Sequence, residues 1–194
     1  MSRDNILKKI RTNKPAFKPL SEIDIEKFST GSDLQEDFIK NVEAAAGRIL
    51  RVKNKEEIKK NIKNLFPDAN KIISFVDGVE VGTIDPQTIS SSKDIENLEL
   101  AIIKGQFGVA ENGAVWVSDK DFSNRFIPFI TSHLVILLNK ENIVENMHKA
   151  LLNLTGIDEG YGVFISGPSK TADIEQSLVI GAQGPLSLTI FLLL

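Results

Sequence analysis

Apolar residues recur along this chain with two different spacings, and the two kinds of segment follow one another in turn. Residues 34–45 and 54–66 have the three-to-four-residue spacing of helices that bury one face. Short, mostly apolar segments lie around these helices and predict strands, of which 71–76, 98–103 and 133–138 have the pattern of buried ones. The predicted strands span 48–52, 71–76, 98–103, 114–117, 133–138, 162–166 and 186–193. A further helix is predicted over 142–154.

The first two of these helices have recognisable boundary residues. Ser32 and Gln35 have the spacing of a capping box, and Gly47 is a natural stop for the first helix. Asn54 opens the second helix and Pro67 ends it. Strands and helices alternate with short connections, which predicts a three-layer, Rossmann-like α/β fold with a largely parallel sheet.

The start of the chain departs from this alternation. A short helix is predicted over 2–11, but Pro15 and Pro19 interrupt the pattern soon after it. We therefore expect residues 1–30 to form an arm with a short helix. Residues 31–194 contain no internal repeat and no low-complexity tract, so we expect them to form a single domain.

Net charge, the lack of cysteine and the short apolar runs exclude several classes of function. With 23 basic and 26 acidic residues the net charge is -3, so nucleic acid is not expected as a main partner. The absence of cysteine excludes a disulfide, a thiol nucleophile and a cysteine-ligated iron–sulfur cluster within this chain, and it suits a cytoplasmic location. The longest apolar run, 188–194, is much shorter than the ~20 residues of a membrane-spanning helix, so no membrane span is expected.

The richest candidate segment follows the predicted strand 162–166 and reads Gly-Pro-Ser-Lys-Thr-Ala-Asp-Ile-Glu over residues 167–175. Ligands of α/β sheets bind beyond the carboxyl ends of strands, so this segment is a candidate binding loop. Gly167 would let the backbone approach a ligand, and Lys170 would supply positive charge. Ser169 and Thr171 would donate hydrogen bonds to phosphate or carboxylate oxygens.

The same segment has two features of other known motifs. Lys170 and Thr171 resemble half of a P-loop, but position 164 is Phe where a P-loop has glycine, so hydrolysis of a nucleoside triphosphate is excluded. The structural alternative is the start of a helix, capped by Ser169 or Thr171 and with Asp173 in its first turn. Spacing alone supports the helix start at least as well as a binding site.

The second candidate is Glu111, which precedes Asn112 and Gly113. An Asn-Gly pair between the apolar segments 107–110 and 114–117 predicts a hairpin with a type I′ turn, in which Glu111 only flanks the turn. The alternative makes Glu111 a nucleophile or general base on a tight turn near strand ends. The hairpin interpretation is favoured because charged turn residues are common and catalytic ones are rare.

A second glycine-rich turn, residues 181–185, precedes the final strand. Its glycines could leave Gln183 pointing into a cleft beside Gly184, or they could simply supply positive φ in a plain connection. The two histidines, His133 and His148, have no acidic or histidine partner at metal-ligand spacing, so no metal site is predicted.

Three of these segments together resemble the lactate-utilisation protein C family, whose members contain a LUD domain. The run at 167–175, with Gly-x-x-Gly-Pro at 181–185 and a final apolar strand, resembles the family signature. Residues 109–114 resemble its Ala-Glu-Thr-Gly segment, and the strand at His133 resembles its Pro-x-x-His stretch. The likeness covers about residues 95–194.

The resemblance implies a fold similar to the NagB/RpiA/CoA-transferase superfamily. It also implies a part in a three-component system that oxidises L-lactate to pyruvate, with iron–sulfur clusters in partner subunits and no cofactor in this chain. In CoA transferases a glutamate in a Glu-Asn-Gly-like turn takes the acyl group, and Glu111 resembles it. Two departures bear on this chemistry: Gln183, which cannot titrate near neutral pH, stands where relatives commonly have histidine, and Asn112 replaces threonine.

Three functional hypotheses follow. The first is a non-redox subunit of a lactate-oxidising complex that binds an organic acid or a partner subunit in a cleft formed by Glu111, Lys170 and Gln183. The second is a stand-alone enzyme of the CoA-transferase or cyclo-ligase kind, with Glu111 as nucleophile or base and Lys170 binding a phosphate or carboxylate. The third is a regulatory or scaffold domain whose site has decayed.

Overall fold

The computed structural model describes residues 2–19, 24–89, 91–122, 124–155, 160–172, 178–181 and 183–194. Its α-helices are α1 (Arg3–Thr12), α2 (Leu34–Ala44), α3 (Lys55–Leu65), α4 (Ile127–Ile130) and α5 (Met147–Asn153). Its strands are β1 (Arg48–Val52), β2 (Ile72–Ser74), β3 (Leu100–Lys104), β4 (Phe107–Val109), β5 (Ala114–Ser118), β6 (His133–Asn139), β7 (Ile143–Val144), β8 (Gly162–Ile165), β9 (Lys170–Ala172), β10 (Leu178–Ile180) and β11 (Ser187–Leu193). Short 3₁₀ helices span Ile25–Phe28, Pro86–Thr88, Ser92–Ile95 and Lys140–Asn142.

The central sheet has five parallel strands in the order β1-β11-β6-β3-β2. Ser187 of β11 and Leu100 of β3 both lie opposite His133 of β6, so these three strands begin at the same level. The largely parallel sheet that the apolar runs predict is therefore confirmed. A connection between parallel strands must cross over a face of the sheet. Helix α3 connects β1 to β2, whereas the connections from β3 to β6 and from β6 to β11 also pass through strands of the second sheet.

Both faces of the central sheet are covered, which makes three layers. Helix α3 covers one face, where Ile58 and Ile62 pack in a cluster with Val135 and Phe191 of the sheet. Helix α2 covers the other face through Phe38 and Val42, together with a second sheet in the order β7-β4-β5-β8. The apolar faces of α2 and α3 were thus predicted correctly from their spacing.

The helix predicted over 142–154 is wrong in its first third. Ile143–Val144 forms β7 and pairs in parallel with β4, and α5 begins only at Met147. Asn146 stops any helix from extending backwards because it is the N-cap, and its side chain accepts a hydrogen bond from the Lys149 N–H. Ile143 and Val144 lie three to four positions before Met147, so their spacing resembles that of a helical apolar face and led to the wrong prediction.

The start of α2 also differs from the prediction. Its N-cap is Asp33, whose side chain accepts hydrogen bonds from the backbone of Gln35 and Glu36. Ser32 instead hydrogen-bonds the carboxylate of Asp37. A carboxylate is favoured over a hydroxyl at this position because it also interacts with the positive end of the helix dipole.

The end of α2 is a Schellman motif in which the left-handed residue is not glycine. The Gly47 N–H donates to the Val42 carbonyl and the Ala46 N–H to the Glu43 carbonyl, each at 2.9 Å. Ala46 has φ of 63°, so the residue in the position that glycine normally takes is alanine. Gly47, the predicted stop, lies one residue further on.

We expect Ala46→Gly to stabilise the protein by about 1 kcal/mol, because glycine adopts the left-handed conformation without the steric cost of a Cβ. Urea unfolding measures the change. Ala44→Gly, in the last turn of the same helix, is the matched control and is expected to lower stability by up to ~1 kcal/mol. Equal losses for both variants would contradict the assignment.

The first helix does not contribute to the core. None of the residues of α1 is buried, in keeping with an arm, and the division into residues 1–30 and 31–194 stays a prediction. Across the described ranges, no helix is long and apolar enough to cross a membrane.

Candidate functional site

The hairpin predicted around Glu111 is present, but its turn is of a different kind. Strands β4 and β5 pair antiparallel with Val109 opposite Ala114, which leaves four residues in the loop. Gly113 has φ of 67°, whereas Asn112 does not take the left-handed conformation that a type I′ turn requires. Asn112 instead accepts a hydrogen bond from the Ala114 N–H through its side chain, at 3.0 Å.

Helix α2 lies directly against this loop and explains its shape. A Cβ on Gly113 would lie 2.5 Å from the backbone nitrogen of Val42. The Asn41 side chain donates to the carbonyl oxygens of Ala110 and Glu111, at 2.7 and 3.2 Å. The loop that presents Glu111 is therefore fixed by α2, and glycine is required where the two backbones meet.

The carboxylate of Glu111 is directed at the start of α5. Its Oε2 accepts a hydrogen bond from the Met147 N–H at 2.9 Å, and the Glu111 N–H donates to the Glu145 carbonyl at 3.0 Å. Glu111 thus satisfies a helix N–H that has no partner within the helix, which is a structural role for a carboxylate.

Glu111 also lines a pocket of about 210 Å³, which we call the Glu111 pocket. Three carboxylates border it, and residues before α2 form part of its wall. Its lining residues are Phe28, Thr30, Ser32, Leu34, Asp37, Asn41, Ala110, Glu111, Glu145, Asn146 and His148. Lys170 and Gln183 are not among them, so the three side chains of the predicted cleft do not share this pocket.

Glu145 is the most strongly held carboxylate of the Glu111 pocket. It accepts hydrogen bonds from the Ser29 hydroxyl, the Thr30 N–H and the Lys149 ammonium, and its side chain is 10% exposed. The Thr30 and Lys149 hydrogen bonds lower the pKa of Glu145 to about 2. The residue is therefore ionised at neutral pH and attaches the end of the arm to the domain.

Two further residues of the Glu111 pocket were not anticipated from the sequence. The Asn146 side chain is buried, and its Nδ2 has no hydrogen-bond partner among the residues that the structure describes. The His148 ring stacks on Phe28, with ring centres 4.8 Å apart. These two residues were missed because 142–154 was predicted to be one continuous helix, which places Asn146 inside the helix and not at its N-cap.

Among the residues with described positions, no group of histidine and acidic side chains is arranged to hold a metal.

The signature segment does not begin a helix. Lys170–Ala172 is β9, which pairs antiparallel with β10, so Thr171 lies opposite Val179 in a hairpin. The prediction of a helix cap at Ser169 or Thr171 is therefore wrong. Asp173 lies outside the described residues.

Gly167 has a specific backbone requirement. Its φ is 75°, and a Cβ there would lie 2.1 Å from the Ala45 carbonyl oxygen at the end of α2. The Lys170 ammonium lies 3.1 Å from the same position. Gly167 thus permits close approach of a helix end, and Lys170 places a positive charge where the dipole of α2 is negative.

The signature segment and the second glycine turn are hydrogen-bonded to each other. The Ser169 N–H donates to the Pro185 carbonyl, and the Gly181 N–H donates to the Ser169 carbonyl, each at 2.9 Å. A Cβ on Gly184 would lie 3.0 Å from the Ser169 Cβ. Gln183 is exposed at this turn.

The three predicted segments therefore meet through their backbones. Ser166, just before the signature, donates from its hydroxyl to the Asn112 carbonyl at 2.9 Å, which joins the signature to the Glu111 loop. Their side chains have different surroundings: Glu111 contacts α5, and Lys170 lies by the end of α2. A binding role for Gly167, Ser169, Lys170, Thr171, Asp173, Gln183 and Gly184 stays a prediction.

These features define a three-layer α/β protein in which two glycine turns and a Glu-Asn-Gly loop are joined beside the end of one helix. The family model of the LUD domain matches residues 87–193, more than half of the chain and all of the predicted site segments. The chain belongs to the LUD domain family.

Curated relatives and a solved structure agree with this family. Two proteins named lactate utilization protein C are similar: one from Bacillus pumilus is 31% identical over 103 residues, covering 47% of this chain and 43% of the relative. The other, from Shouchella clausii, is 34% identical over 104 residues, covering 50% and 45%. The match thus spans less than half the length of these relatives. A crystal structure of a DUF162 family protein from Deinococcus radiodurans has a TM-score of 0.64 at 13% identity and covers 82% of this chain and 96% of that one, which shows likeness of fold.

Proposed function

We propose that this chain is a non-redox component of an L-lactate-utilisation system. The observation that carries the proposal is the LUD domain match over 87–193, together with relatives that are named for lactate utilisation. The chain would contribute binding of a small organic acid or of a partner subunit to the oxidation of lactate to pyruvate.

The amino-acid composition supports the non-redox part of this proposal. A chain with no cysteine cannot hold an iron–sulfur cluster through thiolates. Electron transfer from lactate would then take place on iron–sulfur partner subunits. This chain would act by binding, in the cytoplasm.

Binding is better supported than covalent catalysis at Glu111. One oxygen of its carboxylate already accepts the Met147 N–H, and Glu145 and Asp37 border the same pocket. Carboxylates nearby repel a negatively charged substrate, and an acyl group on Glu111 would remove the negative charge that strengthens the hydrogen bond from the Met147 N–H. These contacts favour Glu111 as a residue that holds α5.

Deletion of the gene tests the role, in a strain with no second lactate-oxidising system. We expect growth on L-lactate as the only carbon source to be lost, and growth on pyruvate to be kept. Complementation with Glu111→Gln is expected to restore growth, because a glutamine oxygen can still accept the Met147 N–H. Co-purification with iron–sulfur proteins would identify the partners.

Growth of the deletion strain on L-lactate at the wild-type rate would refute the proposal. Failure of Glu111→Gln alone, in a variant that is folded and as abundant as the wild type, would instead support the enzyme hypothesis. In that case an acyl–glutamate species at position 111 should be detectable by mass spectrometry of the protein incubated with an acyl-CoA.

A further inference from the structure

A second pocket lies at the amino-terminal edge of the central sheet, and none of the predicted site segments accounts for it. Its volume is about 490 Å³. Three adjacent strands begin in it: Arg48 is the first residue of β1, Ser187 of β11 and His133 of β6. Asp68, Ser132 and Glu99, which precedes β3, are the other polar residues of its lining. We call it the amino-edge pocket.

The polar centre of the amino-edge pocket is a pair of side chains on neighbouring strands. Ser187 lies directly opposite His133, and the Ser187 hydroxyl is 2.8 Å from the His133 Nδ1. Both residues are partly buried. The Nε2 of His133 makes no hydrogen bond to any residue that the structure describes, so it is available to a ligand.

His133 is held in a form that can both donate and accept. Burial lowers the pKa of His133, and the opposing effect of the nearby Glu99 charge is smaller. Glu99 is itself ionised, since hydrogen bonds from the backbone N–H groups of Lys71 and Asn70 lower its pKa. A neutral imidazole has one donor and one acceptor nitrogen, which suits a hydroxyl or a carbonyl oxygen.

Arg48 supplies the positive charge of the pocket. It has no ion pair with a described residue, in contrast to Arg51 on the same strand, which pairs with Glu36. A guanidinium without a partner is suited to a carboxylate, which it can bind through two parallel hydrogen bonds.

The negative charges around the amino-edge pocket determine which anions it can bind. Asp68 and Glu99 border the pocket, and α3 ends beside it at Leu65. Two carboxylates and the negative end of a helix dipole disfavour a ligand with two or more negative charges, such as a phosphate ester. Phe66, whose ring centre is 5.1 Å from that of His133, adds an apolar wall. A monocarboxylate with a small apolar group satisfies this combination.

We propose that the amino-edge pocket binds a short 2-hydroxycarboxylate or its 2-oxo counterpart, with the carboxylate on Arg48 and the 2-oxygen on His133. Ser187 fixes the orientation of the imidazole, and the apolar end of the ligand lies toward Phe66. The choice of an organic acid rests on the proposed function. The location of the site does not rest on it, because the amino-edge pocket shares no lining residue with the Glu111 pocket.

Side-chain NMR of histidine in the full chain tests the proposal, because His133 and His148 are the two histidines of the sequence. His148→Gln assigns the signals. Titration with L-lactate, and separately with pyruvate, is expected to shift the His133 resonances saturably and to leave those of His148 in place. Propionate, which lacks the 2-oxygen, is expected to bind more weakly, and inorganic phosphate more weakly still.

Arg48→Gln is expected to weaken L-lactate binding ~10-fold or more, as for loss of a charge-assisted hydrogen bond. Arg51→Gln, on the same strand but paired with Glu36, is the matched control and should bind normally. Equal affinity of the Arg48 variant, a response at His148 alone, or no saturable shift with either acid would overturn the proposal. None of these results bears on growth of the deletion strain, so the site and the proposed function fail separately.

Discussion

Gly167→Ala is expected to destabilise the protein by roughly 3 kcal/mol or more, a large part of the stability of an ordinary domain. Two costs add. The left-handed conformation, with φ of 75°, costs an alanine about 1–2 kcal/mol. The new Cβ would also lie 2.1 Å from the Ala45 carbonyl oxygen, so the signature segment and the end of α2 must move apart.

Gly31→Ala separates the two costs. Gly31 has φ of 65°, and apart from its two chain neighbours no described residue has an atom within 4 Å of the position of a Cβ, so only the conformational cost of about 1 kcal/mol is expected. Urea unfolding of both variants gives the comparison. Similar losses at the two positions would mean that the Ala45 carbonyl at the end of α2 does not constrain Gly167.

The structural constraints on Gly167 and its neighbours help to explain why the segment 167–175 is characteristic of the family. Gly167 contacts α2, Ser169 is hydrogen-bonded to the second glycine turn, and Ser166 holds the Glu111 loop. A segment with so many backbone contacts can be characteristic of a family for structural reasons. Its value for identifying the family therefore exceeds its value for locating a ligand.

Regular periodicity is what allowed the fold to be predicted from the sequence. The apolar runs of β3, β6 and β11 are nearly continuous because both faces of the central sheet are covered, and that pattern can be recognised without knowing which strands pair. The helical faces of α2 and α3 are equally direct, since Phe38 and Val42, or Ile58 and Ile62, recur once per turn.

Segments whose structure depends on distant partners were predicted less well. β7 is two residues long and forms by pairing with β4, more than thirty positions earlier in the chain. β9 follows a Gly-Pro turn and contains residues that also suit a helix start, and only its pairing with β10 decides the outcome. Local sequence cannot specify such choices, because the deciding contacts are formed in the folded state.

Side-chain direction is the other quantity that spacing did not reveal. Glu111 was expected to share a cleft with Lys170 and Gln183, whose segments are indeed adjacent. The direction of the Glu111 carboxylate depends on the start of α5, whose position was itself predicted wrongly. The Arg48 and His133 pair was missed for a different reason: strand order in the sheet, which places β1 and β6 on either side of β11, is not contained in the apolar pattern.

Glu145 connects the Glu111 pocket to the arm, and the pH dependence of stability should reveal this connection. The pKa of Glu145 is lowered to about 2 in the folded protein by hydrogen bonds from Thr30 and Lys149, whereas an unfolded chain has the ordinary glutamate value of about 4.3. A folded-state pKa below the unfolded value means that the stabilisation is fully present above about pH 5. It is lost as pH falls through the range between the two values.

Glu145→Gln removes this stabilisation at every pH, so the difference in melting temperature between wild type and variant is expected to be constant above about pH 5 and to approach zero near pH 2. Glu141→Gln is the matched control, because its carboxylate is 75% exposed and the change in charge is the same.

Limited trypsin digestion at neutral pH provides a second measurement. Cleavage after Lys27, three residues before Thr30, should accelerate on the order of tenfold in Glu145→Gln and remain unchanged in Glu141→Gln, since charge-assisted hydrogen bonds hold the segment in place. A melting-temperature difference that persists down to pH 2, or unchanged cleavage after Lys27, would show that Glu145 does not attach the arm.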